Sequence, residues 1–179
     1  MLNRIFNLQD RARTIVLAVT VATVLLAINV EIAGKEQIVR NGTTVLLQIA
    51  PRDPRSLLQG DYMALRYTMA GVVANAAEQF EMNDGIAVIE LGELNEAKFV
   101  SLYKDQSLQD GQHLLRYRKR GDSVRLASDA YFFEEGSGQE YRGARFGEIR
   151  LNTNGDAVLI GLRDEEGERL GPALHQVDS

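Results

Sequence analysis

The chain has 179 residues, of which 45% are hydrophobic and 25% charged, and its formal net charge is −5. This length predicts one domain or two, and the composition excludes a disordered chain as well as a polytopic membrane protein. The absence of cysteine excludes a disulfide scaffold, a thiolate zinc site and a cysteine nucleophile. With only two histidines, His113 and His175, an all-histidine metal site is not expected, and the acidic balance argues against nucleic acid as a partner. No cofactor is predicted, because the sequence carries no phosphate-cradling glycine loop or dinucleotide fingerprint.

The first predicted element is a membrane helix. Residues 14–30 read TIVLAVTVATVLLAINV, a run of 17 residues without a charge. At ~1.5 Å per residue the run spans ~26 Å, and apolar residues up to Gly34 extend it toward a ~30 Å hydrocarbon core if Glu31 snorkels to the headgroups. We therefore expect an anchor over residues 14–34, with the lipid bilayer as its partner.

Two other interpretations of this run stay open. A cleaved signal peptide fits the basic front and the apolar middle, but no A-x-A pattern of small residues follows the run. A buried helix of a soluble protein would show an apolar stripe, whereas this run is apolar on all sides. An uncleaved anchor is therefore the favoured interpretation.

The charges that flank the run predict its orientation. Three arginines and one acidic residue precede it, namely Arg4, Arg11, Arg13 and Asp10. By the positive-inside rule, residues 1–13 are cytoplasmic and residues 35–179 form a domain on the outer side of the membrane. Without the first 30 residues, 17 basic and 24 acidic residues remain, a net charge of −7, so this domain should stand off an anionic membrane surface.

The rest of the chain reads mainly as strands and turns. Runs rich in β-branched and aromatic residues alternate with Gly, Asn and Asp turn signals. We expect strands at residues 43–49, 62–67, 86–91 and 99–103, a helix at residues 72–80, and hairpins that turn at residues 119–122, 136–138 and 152–156. The predicted fold class is mainly β: one antiparallel β-barrel or sandwich with a short helix, ending in a loose polar tail from about Glu165.

The most distinctive motif lies in residues 50–67, APRDPRSLLQGDYMALRY. The sequence resembles a family named for the pattern GDYxxLxY, whose five fixed positions are occupied by Gly60, Asp61, Tyr62, Leu65 and Tyr67. The segments YFFEEG at residues 131–136 and ARFGEIR at residues 144–150 are similar to that family as well. The resemblance implies a bacterial inner-membrane protein with a periplasmic domain and a polytopic membrane protein as partner, and it implies no particular activity.

The motif has a structural and a functional interpretation. In an extended segment Leu65 and Tyr67 share one face, which predicts that both pack into the core after a turn at Gly60. Tyr62, on the other face, would cap the turn or cover a sheet edge. In the functional interpretation, one pocket is lined by Asp53, Arg55, Asp61 and Tyr62.

A fainter similarity links the motif region to signal peptidases of the serine–lysine type. Aligned on the Gly-Asp step, their nucleophile falls at Arg52, whose guanidinium cannot attack a carbonyl. Ser56 is then the remaining hydroxyl, with Lys119 as the candidate base. We expect Lys119 to be solvated among arginines, so no catalytic residue is predicted.

Two groups of charged residues remain. The basic group contains Arg116, Arg118, Lys119, Arg120 and Arg125. It is interpreted as an exposed hairpin that discourages edge pairing, or as a contact for lipid headgroups or an acidic partner. The acidic group contains Glu134, Glu135, Glu140 and Glu148, and it is interpreted as a solvated face, with binding of a hard cation as the alternative. Separately, Arg145 and Glu148 are interpreted as a structural ion pair or hydrogen-bond anchor.

Two classes of function follow from these features. In the favoured class, the chain is an accessory or assembly protein that binds a polytopic partner through a stripe of polar anchor residues, Thr20, Thr23 and Asn29. In the other class, it is a degenerate signal-peptidase-like hydrolase or a small-ligand-binding domain that uses a pocket around residues 53–62.

Overall fold

The computed structural model describes residues 2–50, 58–59, 62–121 and 123–172, and for residues 2–12, 58 and 59 it describes the backbone alone. The chain divides into two compact units, residues 1–37 and residues 38–179.

The first unit contains most of one long helix. Helix α1 runs over Leu2–Asn41 and is longer at both ends than the anchor predicted at residues 14–34. Within the described ranges, its segment Arg13–Asn41 is the one helix long and apolar enough to cross a membrane, and none of its apolar window is buried. The helix continues past Gly34 because residues 35–40, KEQIVR, contain no Gly or Pro that would end it.

The second unit is mainly β, as the sequence predicts. Its elements in chain order are β1 (Thr43–Gln48), β2 (Leu58–Gln59), β3 (Tyr62–Ala64), α2 (Thr68–Gln79), β4 (Asp84–Leu91), β5 (Ala97–Leu102), β6 (Gln112–Arg120), β7 (Ser123–Arg125), β8 (Ala130–Phe132), a 3₁₀ helix (Ser137–Tyr141), β9 (Phe146–Leu151), β10 (Ala157–Arg163) and β11 (Arg169–Leu170).

These strands form three antiparallel sheets. Two are four-stranded, with the orders β1-β9-β10-β11 and β5-β4-β6-β7, and the third is the short sheet β2-β3-β8. Backbone hydrogen bonds link the sheets and the loops next to them: Leu46 N–H to Asn95 O (2.9 Å), Ala50 N–H to Arg66 O (2.7 Å) and Arg116 N–H to Gly155 O (2.8 Å). The sheets therefore share one continuous framework.

All three sheets and α2 contribute to one hydrophobic core. Val45 and Ile149 come from one large sheet and Leu115 from the other, and each is fully buried. Helix α2 buries Met69, Val73 and Ala77, whose four-residue spacing places them on one face. Because this buried face begins at Met69, the helix starts at Thr68, earlier than the predicted residue 72.

Two sequence predictions about the second half of the domain are wrong. No hairpin turns at residues 136–138, since β8 pairs with β3 instead and the chain enters the 3₁₀ helix through Gly136, whose φ is +85°. The chain after Glu165 is not loose throughout, because β11 pairs with the end of β10.

Candidate functional site

The polar residues of the anchor hydrogen-bond within α1 itself. The Thr20 and Thr23 hydroxyls donate to the carbonyls four residues earlier at 2.9 Å, and the Asn29 amide does the same at 2.8 Å. At ~100° per residue, Asn29 lies on the side of the helix opposite Thr20. The prediction that these three residues form one stripe is therefore wrong, and each of them donates one side-chain hydrogen bond within α1 itself.

Part of the predicted pocket lies outside the described residues. Asp53, Arg55 and Asp61 belong to that part, so the pocket stays a prediction, and the motif residue Gly60 also lies outside the described residues. Tyr62 is described: it is half-buried on β3. Its ring centroid lies 5.7 Å from that of Phe132, its neighbour in the β3–β8 register, and Phe132 is 68% exposed. Tyr62 thus contributes to an aromatic pair at the surface of the small sheet.

The last two motif residues pack in the core, as predicted. Leu65 and Tyr67 are 3% and 5% exposed. The Tyr67 hydroxyl donates a 2.9 Å hydrogen bond to the Ser128 carbonyl, and its ring lies against Gly147, where a methyl group would sit 3.0 Å from a ring carbon. Burial raises the pKa of Tyr67, so the hydroxyl remains a donor at neutral pH.

A buried ionic cluster lies at the centre of β9. The Glu148 side chain is 2% exposed and accepts three charge-assisted hydrogen bonds, from Arg163 Nε and Nη2 at 3.0 Å each and from Arg169 Nη2 at 2.6 Å. Burial disfavours the charged form, but the two guanidinium groups outweigh it, so the pKa of Glu148 lies below its ordinary value. The carboxylate is ionised and fully partnered, which is the state of a structural anion. We call Glu148, Arg163 and Arg169 the Glu148 cluster.

A group of aromatic residues lies close enough to the Glu148 cluster for Tyr131 to interact electrostatically with Glu148 and Arg169. Tyr141, at the end of the 3₁₀ helix, packs edge-on against Tyr131 at 5.3 Å and stacks on Phe133 at 5.1 Å between ring centroids. Burial raises the pKa of Tyr131, with Tyr141 and Glu148 adding to the effect. The segments YFFEEG and ARFGEIR, separate in sequence, therefore meet in one place.

The sequence analysis missed the partners of Glu148. Arg163 and Arg169 are 15 and 21 residues away, and only the β9-β10-β11 meander brings them together. The predicted pairing of Arg145 with Glu148 is wrong, because the Arg145 side chain is exposed. The backbone of Arg145 forms hydrogen bonds instead: its N–H donates to Arg163 O and its carbonyl accepts from Ile49 N–H, both at 2.8 Å.

Glu135 is exposed in the turn that leads into the 3₁₀ helix. In the part of the chain that the structure describes, no three His, Cys, Asp or Glu side chains group closely enough to hold a metal ion. Ser56 and Arg52 lie outside that part, and Lys119 is half-buried on β6, so the absence of a serine–lysine dyad stays a prediction.

The basic residues form an open cleft of about 330 Å³. Its cationic walls are Arg116, Arg118 and Arg120 of β6 and Arg125 of β7, and its lining also includes Leu126 and Asp156. Arg116, Arg118 and Arg120 share one strand face, as their alternation predicts. We call this site the arginine cleft.

Comparison with known proteins bears on the whole domain. Residues 24–162 match the profile of a family described as GDYXXLXY protein, from within α1 to the end of β10. Comparison with curated proteins and with solved structures returned no match. The family match covers well over half of the chain and includes both the motif and Glu148. The chain therefore belongs to the GDYXXLXY protein family.

Proposed function

We propose that this chain is an accessory or assembly protein of the bacterial inner membrane that works with a polytopic membrane protein. The observation that carries the proposal is the apolar surface of α1. Its large aliphatic side chains between Ile15 and Ile32 are 49–67% exposed. Apolar surface on this scale is costly in water, and a bilayer removes that cost.

The proposed topology places residues 1–13 in the cytoplasm, residues 14–34 in the membrane and residues 35–179 in the periplasm. The arginine excess before the apolar run supports this orientation. The uncleaved anchor holds the domain at the membrane, where a polytopic partner can contact it.

The Glu148 cluster supports a scaffolding role for the domain. A general acid or base needs a proton that moves near neutral pH, whereas two guanidinium groups hold the Glu148 carboxylate in its ionised form. The cluster instead ties β9, β10 and β11 together. A rigid domain of this kind suits presentation of a binding surface.

The test is recovery of the partner from membranes. The full-length protein and a variant in which residues 14–34 are replaced by an unrelated Leu/Ala helix of equal length are purified from mild detergent, and co-purifying proteins are identified by mass spectrometry. We expect one polytopic membrane protein in stoichiometric amount with the native anchor and a loss of most of it with the replaced anchor.

Two results would contradict the proposal. One is that no polytopic protein is enriched over an unrelated single-pass protein expressed at the same level. The other is that the partner is recovered equally from the replaced anchor and from a form without any anchor, since the anchor would then have no part in assembly.

A further inference from the structure

We propose that the arginine cleft binds a phosphate group, carried by a soluble phosphate ester or by a lipid headgroup. The inference does not depend on the accessory role, because it rests on charge and geometry within the β domain alone.

The cleft gathers positive charge in a domain that is otherwise acidic. Residues 31–179 contain 17 basic and 24 acidic side chains, yet four guanidinium groups line this one cleft. In the sheet register Arg118 lies between Arg125 of β7 and Asp84 of β4, so Asp84 offsets part of the repulsion between the two arginines. Arg118 and Arg125 both line the cleft, where an anionic ligand can bind them.

Among the described residues, two of the four arginines pair with a carboxylate and two do not. Arg116 Nε donates to Asp156 Oδ1 at 2.9 Å, and Arg125 pairs with Asp129. Arg118 and Arg120 pair with no carboxylate in the described ranges, which exclude residue 122. Within those ranges, the cleft therefore holds two paired guanidinium groups that fix its walls and two others that can bind an anion.

Protection of a sheet edge does not explain the arginines of β6. That strand lies inside its sheet, between β4 and β7. At Arg116 the side turned away from β4 is covered as well, because the Arg116 N–H donates to the Gly155 carbonyl at 2.8 Å. Edge protection thus explains Arg125 on β7 alone. It does not explain why three arginines of β6 line the cleft, namely Arg116, Arg118 and Arg120.

The shape and chemistry of the cleft suit a phosphate ester. The planar fork of arginine donates two parallel hydrogen bonds and matches a phosphate or carboxylate. A volume of about 330 Å³ is at the lower end of the range of small-molecule sites, roughly 300–1,000 Å³. The buried Leu126 at the lining provides an apolar contact for the carbon skeleton that carries the phosphate.

The test compares two double variants of the full-length protein in maltoside micelles at low ionic strength. Arg118→Gln/Arg120→Gln removes the unpaired charges of the cleft. Arg66→Gln/Arg142→Gln removes the same charge from exposed positions elsewhere. Isothermal titration uses three probes: glycerol 3-phosphate, dihexanoyl phosphatidylglycerol and, as the zwitterionic control, dihexanoyl phosphatidylcholine.

We expect the parent and the Arg66/Arg142 variant to bind glycerol 3-phosphate, phosphatidylglycerol or both. The Arg118/Arg120 variant should bind the same probe at least about ten-fold more weakly. Binding of glycerol 3-phosphate alone identifies a soluble ester, and binding of phosphatidylglycerol alone identifies a lipid headgroup. The Arg118/Arg120 variant should also melt close to the parent's temperature, since both side chains are exposed and form no ion pair with another described residue.

The proposal is overturned if neither phosphate probe binds, or if both double variants weaken binding equally, which would indicate diffuse attraction. It is also overturned if phosphatidylcholine, whose phosphate is balanced by its own choline cation, binds as well as phosphatidylglycerol, since binding would then not depend on the net negative charge that the unpaired arginines should recognise. Finally, a melting temperature of the Arg118/Arg120 variant far below the parent's would assign the arginines a structural role instead.

Discussion

Two buried tyrosines differ in whether the hydroxyl has a partner. Tyr67 donates to the Ser128 carbonyl, whereas the Tyr117 hydroxyl is buried and bonds to no residue that the structure describes. We expect Tyr67→Phe to lower the free energy of unfolding by about 1 kcal/mol, and Tyr117→Phe to leave it unchanged or raise it slightly, because that change removes an unpaired polar group. Tyr67→Ala, which also removes the ring, should cost ~3–5 kcal/mol.

Urea unfolding of the full-length protein in micelles, followed by near-ultraviolet circular dichroism, measures both changes, since the chain has six tyrosines and no tryptophan. If Tyr117→Phe proves the more damaging of the two, the Tyr117 hydroxyl has a partner and this account of the core is wrong.

The Glu148 carboxylate makes stability depend on pH. Because its pKa in the folded domain is lowered, its contribution is complete above the unfolded value of about 4.3 and is lost as the pH falls through the folded value. We expect Glu148→Gln to cost about 3 kcal/mol at pH 7, since two partly buried guanidinium groups lose their anion. The difference from the parent should shrink below pH 4.

Glu135→Gln is the matched control, because it makes the same chemical change at an exposed position, and it should alter stability by less than about 0.5 kcal/mol. The measurement is urea unfolding at a series of pH values. A Glu148→Gln protein that keeps the parent's stability at pH 7 would show that the cluster does not stabilise the fold.

At the scale of elements, the chain just after β11 packs closely against Tyr141 at a glycine. Gly171 has φ +67°, and a methyl group there would overlap the Tyr141 hydroxyl. Gly167 has a similar φ of +82° but open space around it. We expect Gly167→Ala to cost about 1 kcal/mol through backbone strain alone, and Gly171→Ala clearly more, because Tyr141 must also move.

Thermal melts of the two variants separate strain from contact. Equal melting temperatures would mean that β11 does not pack over Tyr141, and the Glu148 cluster would then lack the support of its third strand.

The elements also show what the sequence can predict. The hairpin at residues 152–156 forms as expected, because Asn-Gly lies between two β-rich runs and Gly155 adopts φ +87°. Alternation correctly places Leu65 and Tyr67 in the core. Gly136-Ser137-Gly138 carries the same local signal without a hairpin, because Tyr141 packs against Tyr131 and Phe133 instead.

The sites depend on register, which local patterns do not contain. Alternation alone places Arg116, Arg118 and Arg120 on one face, but the position of Arg125 opposite Arg118 follows from the β6–β7 pairing. In the same way, nothing near Glu148 in sequence identifies Arg163 or Arg169 as its partners.

At the scale of the whole molecule, one helix and one acidic β domain have opposite solvent requirements. The aliphatic surface of α1 requires an apolar environment, while the domain carries an excess of seven negative charges in residues 31–179. The proposed single-pass topology satisfies both solvent requirements. It is the central claim, because the proposed membrane-protein partner and the side of the membrane on which the arginine cleft lies both depend on it.

Single-cysteine labelling tests that topology most directly, because the natural chain contains no cysteine and gives no background. Gln139→Cys, at an exposed position of the domain, and Asn3→Cys, before the anchor, are each treated in intact spheroplasts with a membrane-impermeant maleimide. We predict that Gln139→Cys is labelled at once and Asn3→Cys only after the membrane is permeabilised. Labelling of Asn3→Cys but not of Gln139→Cys in intact spheroplasts would contradict the account.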